Sequence, residues 1–126
     1  MSDVEYLTLD DVVALAALLL GDPPPIREAG LLGAAVARPQ TSLFGDDAYP
    51  DIWSKAAALL HSLVKNHPLV DGNKRLAWLA TAVFLEINGH SMTDVSNDHV
   101  YELVMDVTEH SHDIGYIADR LRALSQ

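Results

Sequence analysis

The chain has 126 residues, 49% of them apolar and none of them cysteine, which predicts one globular domain over residues 1–126 and excludes disulfides, thiolate metal sites and a cysteine nucleophile. Eight basic against 18 acidic residues give a formal net charge of −10, which argues against direct nucleic-acid binding because phosphate attraction dominates such binding. No apolar run reaches the about 18 residues of a membrane span, and the run at 12–20 follows acidic residues, unlike a signal peptide, so we expect a cytoplasmic protein without membrane contact.

Helical spacing of apolar residues recurs along the chain and predicts six helices. The first begins after Thr8, a capping residue, and ends before the three consecutive prolines at 23–25. The second is expected at about 27–37. The third begins near position 50 or 51 and ends at His67, since the proline that follows disfavours helical geometry at the residue before it.

The fourth helix is expected at about 73–88, and it is apolar nearly all round, which is typical of a helix at the centre of a bundle. Ser96 is the predicted N-cap of a fifth helix, and Ser111 is the predicted N-cap of a sixth. The pattern therefore predicts the all-α fold class, in the form of a compact six-helix bundle.

The segment at 39–50 breaks this helical pattern. It contains a Gly-Asp-Asp turn signal and, before it, four residues with an extended pattern, namely Thr41, Ser42, Leu43 and Phe44. We expect a short loop or β-hairpin flap there. Such a flap serves either as a plain connector or as an exposed edge that pairs with an extended peptide.

Four of the eight basic residues lie between positions 55 and 75, which indicates either chance scatter or a site for one anion. The most informative stretch ends this region, at 67–75, and reads His-Pro-Leu-Val-Asp-Gly-Asn-Lys-Arg. It begins where the third helix is expected to end and contains the predicted start of the fourth. Free N–H groups and the positive end of the helix dipole meet at such a start.

The side chains of this stretch suit phosphate chemistry. Lys74 and Arg75 fall in the first turn of the fourth helix, where the dipole disfavours a cation by about 0.3–1 kcal/mol, a penalty that a bound phosphate reverses. Asp71 offers a carboxylate of the kind that holds Mg²⁺ on substrate phosphates, and His67 takes a proton near neutral pH. Gly72 allows close backbone approach. Together these residue types are those of phosphoryl-group transfer.

A purely structural interpretation accounts for the same residues. His67 continues the apolar stripe of the third helix and is then a core histidine. Asp-Gly-Asn is an ordinary turn, in which Asp71 caps the fourth helix without any metal. The spacing alone favours this interpretation slightly over a catalytic site.

The stretch at 67–75 resembles the signature of the Fic/Doc family, His-Pro-Phe-x-(Asp/Glu)-Gly-Asn-x-Arg, with Leu69 keeping a buried anchor in place of the phenylalanine. Lysine after the asparagine is typical of the death-on-curing (Doc) branch. The Arg-Pro-Gln step at 38–40, the Phe-Gly pair at 44–45 and the Tyr-Pro step at 49–50 also resemble that branch. The order of the helices also resembles that branch, so the likeness extends over nearly the whole chain. It favours a catalytic site over the purely structural interpretation of these residues.

The resemblance implies a six-helix fold whose active loop, 67–75, joins its central helices, and a bacterial toxin that is paired with an antitoxin. By analogy, His67 deprotonates a target hydroxyl, Asp71 holds Mg²⁺, and the flap at 41–44 holds the target segment. The implied catalytic residues are His67, Asp71, Lys74 and Arg75. The residues implied to bind the phosphates of ATP are Gly72, Asn73, Lys74 and Arg75.

Two positions depart from the pattern of Fic adenylyltransferases. Those enzymes have glycine at the position of Lys74, which leaves room for the α-phosphate, and a second arginine at the position of Trp78. Doc-type proteins with this lysine bind the nucleotide reversed, so the resemblance implies transfer of the γ-phosphate of ATP to a translation protein such as elongation factor Tu, with growth arrest. AMP transfer to a protein hydroxyl and an inactive Fic-like binding module are the alternatives, and the intact motif argues against the inactive module.

Two further expectations concern control and metals. Many Fic proteins inhibit themselves through a helix that reads (Ser/Thr)-x-x-x-Glu-(Gly/Asn), and none of the five glutamates here precedes glycine or asparagine, so we expect inhibition by a separate antitoxin chain. His110 and His112, with Glu109 and Asp113, fall in the turn between the last two helices. Two alternating histidines are a weak metal signal, and a solvated turn is expected there.

Overall fold

The computed structural model describes residues 3–125, and helices dominate that part of the chain. It contains six α-helices and one two-stranded hairpin, which confirms the predicted all-α bundle with a short flap. The elements in chain order are α1 (Leu9–Leu20), α2 (Ala29–Ala37), β1 (Ser42–Leu43), β2 (Asp46–Asp47), α3 (Ile52–Asn66), α4 (Asn73–Ile87), α5 (Asn97–Glu109) and α6 (Ile114–Leu124). Within residues 3–125, no helix is both long enough and apolar enough to cross a membrane.

Helix α3 lies at the centre of the bundle. Ten of its 15 residues are buried, and it contacts α2, α4, α5 and α6. Helix α4, predicted to be central, contacts α1, α3 and α5, and Trp78, Leu79 and Val83 on its outer face are half-buried beside α5. One continuous core joins all six helices, with α3 and α4 in extensive contact, so the loop between these two helices is attached to the core at both ends.

Local side-chain chemistry sets where the helices begin. Thr8 forms the predicted capping box of α1, and the hydroxyl of Ser96 caps α5 as predicted. The predicted cap of α6 is wrong, because Asp113 and not Ser111 occupies that position. Its carboxylate accepts a hydrogen bond from the amide of Tyr116 at 2.8 Å.

Helix α2 begins at Ala29, later than the predicted position 27. The amides of Arg27 and Glu28 donate to the carbonyl of Pro68 at 2.8 and 3.0 Å. These two residues therefore lie beside the loop between α3 and α4 instead of entering the helix. A segment that the sequence suggested to be a connector is thus part of the support of that loop.

The predicted flap is a short antiparallel hairpin. Strand β1 pairs with β2, with Ser42 opposite Asp47. Phe44 and Gly45 make the turn, and their φ angles of +54° and +86° are the left-handed values typical of a two-residue hairpin turn. Phe44 therefore lies outside the extended segment in which it was predicted, and its side chain is fully exposed at the tip of the flap.

Lys55 ties the flap to α3. Its side chain is buried, yet its amine donates to the carboxylate of Asp47 at 3.1 Å and to the carbonyl of Tyr49. A buried ammonium group requires such partners, because desolvation penalises an unpaired charge. The base of the flap is thus fixed against α3 while its tip projects into solvent.

Candidate active site

The loop between α3 and α4 begins at His67, which adopts the left-handed conformation with φ +48° and ψ +55°. Pro68 disfavours helical geometry at the residue before it, so α3 ends at Asn66. The change of backbone direction takes the imidazole out of the apolar stripe of α3, and the side chain is exposed. The interpretation of His67 as a core histidine is therefore wrong, and its ring is accessible to a ligand.

The connector between α1 and α2 holds this loop in place. The guanidinium of Arg27 donates to the carbonyl of His67, 40 residues along the chain, and the main chains of Ile26 and Leu69 form an isolated antiparallel bridge. The sequence indicated a stiff proline-containing connector at this point but no contact with the loop. Pairing between two segments so distant in sequence leaves no local pattern from which it could be predicted.

Asn73 closes the loop. Its carboxamide oxygen accepts from the amide of Leu69 at 2.9 Å, and its NH₂ group donates to the carbonyl of Leu69 at 3.0 Å. Leu69 itself is buried, as expected of the anchor at this position. The side chain of Asn73 therefore orders the loop, and one N–H of its carboxamide group as well as its main-chain amide stay available to a ligand.

The N-cap of α4 is Gly72, with φ +87° and no side-chain cap. The prediction that Asp71 caps α4 is wrong, since its carboxylate accepts from the amide of Gly72 at 2.8 Å and remains exposed. Leu20 of α1 lies against this glycine, and an added Cβ would stand 2.7 Å from both of its terminal methyl groups. The left-handed backbone favours glycine at this position, and the side chain of Leu20 leaves little room for a Cβ.

The first turn of α4 contains two cations and no acidic residue. Lys74 and Arg75 are both exposed. In the described part of the chain, the amides of Asn73, Lys74 and Arg75 meet no hydrogen-bond acceptor, as is usual in a first turn without a side-chain cap. The positive end of the helix dipole adds to the two side-chain charges, so the local potential is positive on a chain whose net charge is −10.

A concavity of about 320 Å³ brings the loop residues together. It is lined by His67, Val70, Asp71, Gly72, Asn73, Lys74 and Arg75. All six residues predicted from this stretch therefore share one surface, where an imidazole and a carboxylate lie beside free amides and two cations. Such a set is able to bind an anion and to accept a proton next to it.

An apolar groove of about 520 Å³ begins at Lys74 and Arg75 and continues between α4 and α5. Trp78 lines it, together with Leu79 of the same helix and Tyr101 of α5. A further concavity of about 360 Å³ shares part of this lining and extends the groove along α4. Trp78 therefore belongs to the groove and not to the polar concavity of the loop.

The predicted flap residues lie outside the loop concavity, whose lining contains none of Thr41, Ser42, Leu43 and Phe44. Thr41 borders a separate concavity of about 400 Å³, which also contacts Arg38 and Asn66, the residue before His67. The structure thus brings the base of the flap, and not its tip, next to the end of α3.

Arg38 organises the base of the flap. Its guanidinium donates to the hydroxyl of Tyr49 at 2.8 Å, to Nδ1 of His61 at 2.8 Å and to the hydroxyl of Ser62 at 2.9 Å. Burial, followed by the positive charges of Arg38 and Lys65, lowers the pKa of His61. A neutral ring is able to accept the hydrogen bond from Arg38, so the charge of the guanidinium stabilises the neutral form.

The helix order and the loop sequence are those expected of a protein of the Fic/DOC class. The model of the Fic/DOC family matches residues 6–85, and the chain belongs to that family. It is 48% identical over 118 residues to a protein named Toxin Doc from Mycolicibacterium smegmatis, and the alignment covers 93% of this chain and 91% of that relative. The family resemblance inferred from the sequence is thereby confirmed.

Proposed function

We propose that this protein is a Doc-type toxin, paired with an antitoxin, that transfers the γ-phosphate of ATP to a hydroxyl of a translation protein such as elongation factor Tu and so arrests growth in the cytoplasm. The observation that carries the proposal is the concavity at 67–75, where an exposed imidazole lies beside free amides and two cations. The 48% identity to a protein named Toxin Doc supports the toxin class.

The triphosphate of ATP is proposed to bind at the first turn of α4. The free amides of Asn73, Lys74 and Arg75 supply donors, and the two side-chain cations supply charge-assisted hydrogen bonds. Without an anion, each cation at this helix start carries a penalty of about 0.3–1 kcal/mol. A bound phosphate turns that penalty into attraction, so the site is organised for an anion before one arrives.

Asp71 is the residue that fits a Mg²⁺ ion carried by the nucleotide. Its carboxylate is exposed on the concavity, and the amide of Gly72 fixes its orientation. One carboxylate together with substrate phosphates is the usual way in which proteins bind this ion. When bound there, Mg²⁺ supplies charge neutralisation on the phosphates.

His67 is the proposed general base. Its ring nitrogen takes the proton of the target hydroxyl, and the hydroxyl oxygen forms a bond to the γ-phosphorus while the bond between that phosphorus and the β,γ-bridging oxygen breaks. The products are a phosphate ester on the target and ADP, and the imidazolium then releases its proton to solvent. The side chains of Lys74 and Arg75 stabilise the phosphoryl oxygens.

Two positions favour phosphate transfer over AMP transfer. The side chain of Lys74 lines the concavity at the position where Fic adenylyltransferases have glycine and room for the α-phosphate. Trp78 lies in the apolar groove and provides no second cation for an α-phosphate. Fic-type AMP transfer is the second candidate, and it differs in the mass that the target gains.

The target segment is proposed to pair with the flap. Strand β1 contains only two residues and is exposed, so its edge is open to an extended peptide. Lys55 and Arg38 fix the base of the flap to α3, the helix that ends immediately before His67. A peptide aligned on Thr41, Ser42, Leu43 and Phe44 is thereby held at a constant distance from the proposed base.

The apolar groove between α4 and α5 is the proposed binding site of the antitoxin. It begins at Lys74 and Arg75, so a segment seated in it lies next to the proposed phosphate site. Helix-in-groove binding is a common use of such a surface. In cells, the cognate antitoxin is expected to restore growth with the wild type but not with Tyr101→Asp, whose exposed side chain lines the groove.

One assay tests the enzymatic part of the proposal. Purified protein is incubated with ATP, Mg²⁺ and bacterial lysate, and the masses of modified proteins are measured. We expect a phosphate-sized addition that disappears with His67→Ala and persists with His99→Ala, an exposed histidine on α5 far from the loop in sequence. Lys74→Gly is expected to reduce the rate.

The possible outcomes separate the candidates. An AMP-sized addition would support the adenylyltransferase alternative. No addition with any nucleotide, from folded protein that still arrests growth, would leave only the inactive binding module. Equal rates for Lys74→Gly and the wild type would show that the lysine has no part in phosphate transfer.

A further inference from the structure

A second group of ligating side chains lies at the turn between α5 and α6, apart from the loop at 67–75. Asp106, in the last turns of α5, directs its Oδ1 atom at Nε2 of His112 at 2.8 Å and at Nδ1 of His110 at 3.0 Å. The three ligand atoms all lie within 4.8 Å of one another. The sequence indicated the two histidines, but with Glu109 and Asp113 as partners, whereas the acidic partner is Asp106, four positions before His110.

The second carboxylate oxygen of Asp106 is already occupied by donors. Its Oδ2 atom accepts from the hydroxyl of Tyr116 at 2.7 Å and from the guanidinium of Arg120 at 2.9 Å. The ring of His112 stacks on that of Tyr116, with 3.9 Å between the centroids. Hydrogen-bond partners behind a metal ligand orient that ligand in many proteins. Here Tyr116 and Arg120 hold the carboxylate so that its Oδ1 atom faces the two histidines.

We propose that Asp106, His110 and His112 bind one divalent transition-metal ion, for which Zn²⁺ is the best match. Two imidazole nitrogens and one carboxylate oxygen form a donor set that suits Zn²⁺, whereas Mg²⁺ and Ca²⁺ prefer oxygen ligands alone. Asp106 and His112 are half-buried and form the ordered side of the site, and the side chain of His110 is 62% exposed, so it is free to close onto the ion. Water completes the tetrahedron.

The site would act as a brace at the end of the bundle. A bound ion joins the last turns of α5 to the start of α6, and Lys65 of α3 donates to the carbonyls of Thr108 and His110, both at 3.2 Å. Lys65 lies two positions before His67, so the braced turn contacts the end of the helix that carries the proposed base. The inference stands on the geometry of this cluster and does not depend on the proposed phosphate transfer.

Zinc titration of the full-length, untagged, metal-stripped protein tests the proposal. Isothermal titration calorimetry is expected to show one equivalent of Zn²⁺ bound by the wild type, with the affinity reduced at least about tenfold in His112→Gln and unchanged in His99→Gln. The melting temperature is expected to rise with Zn²⁺ in the wild type and not in His112→Gln. Replacing Zn²⁺ by Co²⁺ is expected to give the visible absorption of a four-coordinate site.

Two results would overturn the proposal. One is the absence of Zn²⁺ binding by folded wild-type protein at metal concentrations below about a millimolar, the weak end of specific binding. The other is equal binding by the wild type and the folded double variant His110→Gln/His112→Gln, which would assign the ion to another site. Folding of each variant is checked by circular dichroism, and His67→Ala tests whether the loop takes any of the metal.

Discussion

Asn73 and Leu69 are joined by two hydrogen bonds of opposite direction, one from the amide of Leu69 to the carboxamide oxygen and one from the carboxamide NH₂ to the carbonyl of Leu69. The same arrangement occurs far from the loop, where Asn88 accepts from the amide of Glu5 and donates to its carbonyl, both at 2.9 Å. The two asparagines therefore make the same pair of bonds in different places, and Asn88 also donates to the carbonyl of Phe84 at 2.7 Å. Substituting each asparagine in turn therefore separates the loss of stability caused by the missing hydrogen bonds from the loss of activity caused by a disordered loop.

Asn73→Asp is expected to weaken the binding of ATP and to lower the transfer rate about 10- to 100-fold, because the loop groups lose their orientation. The aspartate places a second acceptor against the carbonyl of Leu69 and a negative charge beside the proposed phosphate site. Asn88→Asp is expected to cost at least as much stability, since Asn88 donates twice, but to leave binding and rate unchanged. Calorimetry with ATP and Mg²⁺, the transfer assay and urea denaturation check this, and equal activity losses in both variants would contradict it.

Gly72→Ala is expected to destabilise the fold by at least about 1 kcal/mol, since a left-handed backbone costs a residue with a Cβ about 1–2 kcal/mol. The added methyl also meets Leu20 at 2.7 Å, and movement of that side chain does not remove the strain at φ +87°. Gly30→Ala in α2 is the control, because its Cβ meets no atom within 4 Å and helical alanine is favoured by about 0.5–1 kcal/mol. Urea denaturation measures both changes, and an unchanged stability of Gly72→Ala would refute the strain.

Arg27→Met is expected to lower the turnover rate about tenfold, because a catalytic group that is displaced from its working position loses rate. The affinity for ATP is expected to stay within about twofold of the wild type. The guanidinium holds the carbonyl of His67 and is not part of the phosphate concavity, so its loss disturbs the proposed base more than the nucleotide. Arg122→Met, which removes only exposed ion pairs at 3.7 and 3.9 Å, is expected to change neither quantity. Steady-state kinetics distinguish the two, and a loss of ATP affinity in Arg27→Met would show that the connector acts on the phosphate site.

What the sequence predicted correctly is local. The cap at Thr8, the end of α3 before Pro68 and the grouping of the loop residues all follow from neighbours a few positions apart. The features that it missed are contacts between segments distant in the chain, such as the hydrogen bond from Arg27 to the carbonyl of His67. At the start of α4, the local sequence is compatible with either Asp71 or Gly72 as the N-cap. The structure has Gly72 there, and Leu20 of the distant helix α1 lies against it.

His61 is expected to make stability depend on pH. Its pKa is lowered in the folded protein by burial and then by the charges of Arg38 and Lys65, whereas in the unfolded chain it returns towards 6.5. Below about pH 6.5 the unfolded state therefore binds more protons, so the free energy of unfolding falls as the pH decreases, and the fall ends below the lowered pKa. His61→Asn keeps an acceptor for Arg38 and cannot titrate. Urea denaturation between pH 5 and 8 should show a smaller loss in this variant, and parallel curves would disprove the contribution of His61.

Lys55→Met is expected to release the flap while leaving the loop at 67–75 intact. Methionine fills the buried volume but donates neither to Asp47 nor to the carbonyl of Tyr49, and each lost bond is worth about 0.5–1.5 kcal/mol. Amide exchange at 42–47 should therefore accelerate about tenfold, and the KM for the protein target should rise while the affinity for ATP stays constant. Lys65→Met is the matched control, because it frees carbonyls at the end of α5 instead of the flap. If exchange in the flap increases equally in both variants, or in neither, Lys55 does not hold the hairpin.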